Sequence, residues 1–231
     1  MNNMKKDFTY IIFLIDRSGS MSQLRDDTIG GFNAFVAEQR KAPGRAVLTL
    51  AQFDDKFEIN YEALDVLLVP DLTPETFVPR GGTALRDAAA RLMISAGAEL
   101  AKMKEDERPD NVIFVVITDG QENTSKETPP DILKKMIDLQ TNTYNWKFLF
   151  LGANMDAAMV ARDMGMTGLS YNASGKGIRD SIDTASSYVG NTRSGNIGAA
   201  NSILRSKNVD DKAVLNASKE FKKSLKNKKD N

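Results

Sequence analysis

The chain has no cysteine and no histidine. Without cysteine there is no disulfide, no thiolate metal site and no cysteine nucleophile. Without histidine the commonest general base and the commonest transition-metal ligand are both missing. A metal held by this chain is therefore held through oxygen. Long apolar runs are missing as well, so no segment reads as a membrane span. The first seven residues carry a signal peptide's positive charge. The apolar run behind them stops at Asp16, too early for an h-region with a cleavage site. These absences predict a cytoplasmic protein. Net charge is zero, from 31 Lys/Arg and 31 Asp/Glu, but it is placed unevenly. From residue 205 onward nine Lys/Arg stand against four Asp/Glu, which leaves a mildly acidic body with a basic tail. That distribution is not the footprint of a dedicated nucleic-acid binder.

What is present is an alternation of short apolar runs and helical periodicities in 231 residues, enough for one large or two small domains. Residues 8–15 read as a buried strand. Ser20, with Gln23 three residues on, reads as a capping box opening a helix to about residue 41. Gly30-Gly31 inside that helix costs about 1 kcal/mol per glycine relative to alanine, which close packing against a sheet would explain. Residues 46–53 form the second predicted strand. Asp54-Asp55 reads as a hairpin turn into an alternating strand at 56–61, antiparallel to its neighbour and at a sheet edge. A long connection over 62–82 is of the length usually reserved for functional loops. Beyond it the pattern predicts a helix at 84–104, the most hydrophobic strand at 111–118, and a helix at 130–140. A strand at 147–152, a helix at 155–164, a short strand at 169–171 and a helix at 178–188 complete the alternation. It indicates an α/β fold with a mostly parallel, doubly wound sheet and one antiparallel edge strand, flanked by helices. Residues 1–190 are expected to form this domain. Residues 191–204 read as a polar linker, and the chain beyond, with Val214, Ala217, Phe221 and Leu225 among lysines, as a basic amphipathic helix or tail.

In open α/β sheets, ligands bind at the carboxyl ends of the strands where strand order reverses. Asp16 ends the first predicted strand and is followed by Ser18 and Ser20 at alternate positions, in Asp16-Arg17-Ser18-Gly19-Ser20-Met21. Asp119 ends the most hydrophobic strand. Thr83 follows Gly81-Gly82 at the close of the long connection, before a helix. If the strands ending at Asp16 and Asp119 are neighbours, these five oxygen side chains can reach one crevice, and oxygen donors of this kind suit a hard divalent cation. Each also has a plainer role. Ser20 and Thr83 can be N-caps, and Asp16 and Asp119-Gly120 can be turn residues. Their co-occurrence at strand ends and helix starts on one edge of one fold favours a shared site.

The three-part pattern resembles the metal-ion-dependent adhesion site of von Willebrand factor type A domains, of the small intracellular bacterial or phage type. Asp16-x-Ser18-x-Ser20 with Gly19 and Met21 matches the family's first loop, Thr83 after Gly81-Gly82 the second, and Asp119 in Ile117-Thr118-Asp119-Gly120 the third. The resemblance covers residues 8–188. It implies a six-stranded sheet of order 3-2-1-4-5-6, which sets the strands ending at Asp16 and Asp119 side by side. It further implies Mg²⁺, with Mn²⁺ or Ca²⁺ as alternatives. Ser18 and Ser20 would be direct ligands, Thr83 and Asp119 would exchange direct and water-mediated contact, and Asp16 would act through water or the serines. One position would accept an aspartate or glutamate from a partner protein. The implied function is a non-enzymatic adaptor in an intracellular assembly.

Two other readings have some footing. Mg²⁺ on carboxylates at strand ends is compatible with a hydrolase or phosphoryl-transfer enzyme, but no nucleophile–base pair is recognisable. Glu122 reads as a solvated loop residue, and Ser174-Gly175-Lys176-Gly177 lacks the full P-loop pattern. The tail lysines, from Lys219 to Lys229, could engage nucleic acid or an acidic partner; a solvated terminus is the simpler account.

Overall fold

The structure, a computed structural model, describes residues 7–120, 122–153 and 155–207, with the backbone alone over 155–158 and at 207. Six strands form one sheet: β1 (Phe8–Asp16), β2 (Arg45–Phe53), β3 (Phe57–Asp65), β4 (Asn111–Thr118), β5 (Lys147–Ala153) and β6 (Thr167–Tyr171). Their order is β3-β2-β1-β4-β5-β6, parallel throughout except for the antiparallel β2/β3 pair. The expected fold class and strand order are both met.

The helices are α1 (Arg25–Lys41), α2 (Leu85–Lys102), α3 (Pro130–Tyr144), α4 (Met155–Met164), α5 (Gly175–Arg193) and α6 (Ile197–Lys207). Alternate residues of each central strand feed opposite faces, as the two-residue period of a strand requires. Ile11, Phe13 and Ile15 of β1, with Ile113, Val115 and Ile117 of β4, join the core beneath α1, α5 and α6. Tyr10, Ile12 and Leu14, with Val112, Phe114 and Val116, join the core beneath α2 and α3. Phe13 packs edge-on against Phe32 and Phe35 of α1, at ring separations of 5.3 and 4.9 Å. Each such fully buried side chain contributes about 1.5–3 kcal/mol relative to exposure. Because both faces are covered, the central strands are buried along nearly their whole length and read as near-continuous apolar runs, which is why they stand out in the sequence.

Three local expectations are corrected. No capping box forms at Ser20: residues Gly19–Leu24 are a 3-10 helix and α1 begins only at Arg25. Gly31 faces α5, not the sheet; a Cβ at Gly31 would sit 2.6 Å from Ile182 Cδ1, so Ile182 would have to shift, whereas one at Gly30 would meet nothing. The polar linker read over 191–204 is largely helix. α5 continues to Arg193, and α6 packs back on the first core through Ala200 and Leu204. That pair, four residues apart, lies on one face of the helix, and α6 also carries Ile197, Ala199 and Ile203. The basic segment beyond Lys207 lies outside the described residues.

Candidate metal centre

Strand order reverses at the β1/β4 pair, which runs in register with Ile15 beside Ile117. This puts the two strand-end carboxylates, Asp16 and Asp119, on neighbouring loops. Asp16 is fully buried. Its Oδ1 accepts from the Ser18 backbone N–H at 2.7 Å, closing a tight turn, and its Oδ2 accepts from Thr118 Oγ1 at 2.6 Å. The Ser18 and Ser20 hydroxyls lie 3.1 Å apart, and Ser20 Oγ donates to Asp119 Oδ1 at 2.7 Å. That last bond explains the missing capping box: the Ser20 hydroxyl turns across to the β4 loop instead of back to its own helix.

Thr83 is buried, and it is not an N-cap either. The cap position of α2 is Ala84, which has no side-chain acceptor to offer. The first-turn amides of α2 are satisfied from the loop after Asp119. Glu122 accepts from Arg86 N at 2.9 Å, and Ser125 Oγ accepts from Asp87 N at 3.2 Å. Asp87 returns the favour by accepting the backbone N–H groups of Lys126, Glu127 and Thr128 at 2.7–3.1 Å. Asn123 completes the joint: its side-chain oxygen accepts from Thr83 N at 2.9 Å and its own N–H donates to Thr83 O at 3.1 Å. Glu122 is thus a structural acceptor, engaged also by Thr124 N, Ser125 N and Ser125 Oγ, and not a solvated loop residue.

Gly120 reports where the oxygens point. A Cβ built on it would lie 3.3 Å from Thr83 Oγ1, 3.5 Å from Ser20 Oγ and 3.9 Å from Asp16 Oδ2. Side chains from all three loops therefore surround one small space, with Asp119 hydrogen-bonded to Ser20 on its rim. The five residues named from sequence come together, and they form a cradle that any side chain at position 120 would fill. Among the described residues no three carboxylates gather, so the donor set is two carboxylates with three hydroxyls. All five donors are hard oxygens, which fits Mg²⁺; the two carboxylates formally balance a divalent ion when both engage, and its charge is only partly offset when Asp119 alone does.

Burial pushes the Asp16 carboxyl up to about 6, against the lowering pull of its bonds from Thr118 and Ser18. Asp119 is also raised, mainly by burial. Tyr171, at the end of β6, donates its hydroxyl to Thr118 O at 3.0 Å and so braces the residue that holds Asp16.

Sequence reasoning missed several supporting residues: Asp54, Asp55, Asn123, Glu122 and Tyr171. Arg17 Nε and Arg80 Nε both donate to Asp54 Oδ2, at 3.0 and 2.9 Å, and Gly82 N donates to Asp55 Oδ1 at 3.0 Å. The signal for the first pair was an adjacent Asp-Asp at a strand end, indistinguishable in sequence from an ordinary hairpin turn.

No protein-family model matches the chain, and no curated protein matches it in sequence. Solved structures do match. The von Willebrand factor domain of the type V pili tip protein Mfa5 from Porphyromonas gingivalis aligns at TM-score 0.56 and 10% identity, over 78% of this chain and 94% of that one. A von Willebrand factor type A structure from Catenulispora acidiphila aligns at TM-score 0.51 and 16% identity, over 78% of this chain and 42% of that one. This chain thus spans less than half the length of the Catenulispora protein. The shared class is the von Willebrand factor type A fold. At such identities the likeness is one of fold, and the site rests on this chain's own residues. Among the described residues no helix is long and apolar enough to cross a membrane.

Proposed function

We propose that the chain is a non-enzymatic, Mg²⁺-dependent protein-interaction module that grips an aspartate or glutamate of a partner, acting as an adaptor in a cytoplasmic assembly. The carrying observation is the convergence of Asp16, Ser20 and Thr83 oxygens on the space beside Gly120, with Ser18 and Asp119 hydrogen-bonded into the same cluster. A bound Mg²⁺ would supply an electrophilic centre with a position free for a carboxylate oxygen. Ser18, Ser20, Thr83 and Asp119 would hold it, and Asp16 would orient the serine loop through its bond to Ser18 N. Mn²⁺ or Ca²⁺ would suit the same donors. The interaction reading is consistent with the fold shared with a pilus tip domain.

The enzymatic alternative lacks a base. Glu122, the carboxylate nearest in sequence to Asp119, is engaged by three backbone N–H groups and a hydroxyl. The Ser174 hydroxyl accepts from Gly177 N at 3.1 Å, an N-cap of α5.

The test is affinity capture of partners in Mg²⁺ and in EDTA, with Asp16→Ala and Thr83→Ala as controls. Partners should be retained by the parent in Mg²⁺ and lost in EDTA and in both variants. Equal retention in all conditions would sink the proposal.

A further inference from the structure

We infer that the β2–β3 turn, Asp54-Asp55, is a brace for the metal site. Both residues act as positioning residues that set the spacing between the Asp16–Ser20 loop and the Thr83 loop. The inference rests on the metal reading above and extends it to residues that touch neither the cradle nor a partner.

Asp54 is buried, and every polar group it has is used. Its Oδ2 takes Arg17 Nε at 3.0 Å and Arg80 Nε at 2.9 Å. Its Oδ1 takes Lys56 N at 2.6 Å, and its backbone N–H donates to Lys56 O at 2.9 Å. Its backbone carbonyl accepts from Ala84 N at 3.0 Å. Arg17 lies between Asp16 and Ser18, and Ala84 directly follows Thr83. One residue of a third loop therefore grips the chain beside the first site loop and beside the second. Asp55 adds a contact to the same loop through Gly82 N, and this bond is the main reason its carboxyl is held below the usual range.

The two loops also touch directly. Gly19 N donates to Gly81 O at 3.1 Å, and Arg80 N donates to Arg17 O at 2.7 Å. A hard cation is sensitive to donor separation, because Mg²⁺ tolerates little departure from octahedral geometry. Residues that orient first-contact ligands typically change metal affinity 10–100-fold when removed. A buried carboxylate shared by two guanidinium groups, one on each loop, adds a second tie to those backbone bonds, with Arg17 buried and Arg80 half exposed. Arg17 Nη1 donates in addition to Glu58 Oε2 at 2.8 Å, which ties the brace to β3. The brace therefore hangs on the sheet itself.

The test is calorimetric titration of Mn²⁺ into the parent, Asp54→Asn and Asp55→Ala. Arg193→Met serves as a control for lost stability. Arg193 donates to the carbonyls of Gln39, Ala42 and Gly44 at the far end of α1, away from the site. The account expects the Mn²⁺ Kd to rise at least tenfold in Asp54→Asn and at least threefold in Asp55→Ala, with Arg193→Met within twofold of the parent. Asp55 is exposed, so its variant keeps the test decisive should Asp54→Asn not fold. Parent-like Kd values in the Asp54 and Asp55 variants, or an equal rise in Arg193→Met, would overturn the brace and leave the metal site standing. No Mn²⁺ binding by the parent would overturn both.

Discussion

Asp16 is in a costly place for a charge. It is fully buried, and no cationic side chain bonds to it among the described residues. Its carboxyl is pushed up to about 6 from an ordinary 3.8. In the metal-free protein this group adds no penalty below pH ~3, where it is largely protonated both folded and unfolded. As pH rises through 4 to 6 the unfolded chain loses its proton first, and stability falls. At about 1.4 kcal/mol per pK unit the penalty reaches about 3 kcal/mol at neutral pH. Asp16→Asn should therefore be more stable than the parent by up to about 3 kcal/mol at pH 7 in EDTA, and equal to it at pH ~3. Urea unfolding at both values measures the difference. Added Mg²⁺ should stabilise the parent and leave Asp16→Asn unchanged, since a ligand stabilises only the state it binds. Gly120 is the complementary case. Its backbone is outside the left-handed region, so alanine is tolerated there, yet a methyl group would occupy the cradle 3.3 Å from Thr83 Oγ1. Gly120→Ala should fold with a stability change within about 1 kcal/mol and should lose its divalent cation.

At the scale of elements, the glycine pair in α1 makes a prediction with two opposite outcomes. Gly30→Ala gains helix propensity with nothing in the way and should stabilise by about 1 kcal/mol. Gly31→Ala meets Ile182 of α5 at 2.6 Å, so the same gain is offset by repacking and the net change should be near zero or unfavourable. Ile182→Val should restore part of the gain to Gly31→Ala; denaturant midpoints report all three. The same helix shows why some features were legible from sequence and others were not. The six strands and their helices followed from apolar runs and periodicity, which are local. The five candidate site residues could be picked out because each stands at a strand end or just before a helix in a fixed pattern. The roles of Ser20, Glu122 and Asp54 were not legible, since each is decided by a partner far away in the chain: Asp119 for Ser20, Arg86 for Glu122, Arg17 and Arg80 for Asp54. α6 was hidden for the opposite reason. Its anchoring side chains, Ala200 and Leu204, are too few to outweigh a polar composition.

Over the whole molecule, the doubly wound sheet does one thing for function. By reversing strand order between β1 and β4 it leaves the two loops that carry Asp16 and Asp119 side by side, with the Thr83 loop held against both. The two cores on either face keep β1 and β4 in place, so the site is built on the most buried strands of the fold. The chain has no histidine and no cysteine, so the same cradle offers no imidazole or thiolate. The central claim is that these oxygens hold one divalent cation in the space beside Gly120. Its most direct test is an electron paramagnetic resonance titration with Mn²⁺, comparing the parent with Gly120→Ala. The account predicts one saturable site per chain in the parent, displaced by excess Mg²⁺ and lost in Gly120→Ala. A parent that leaves Mn²⁺ free, or a Gly120→Ala protein that binds it as the parent does, would contradict the account.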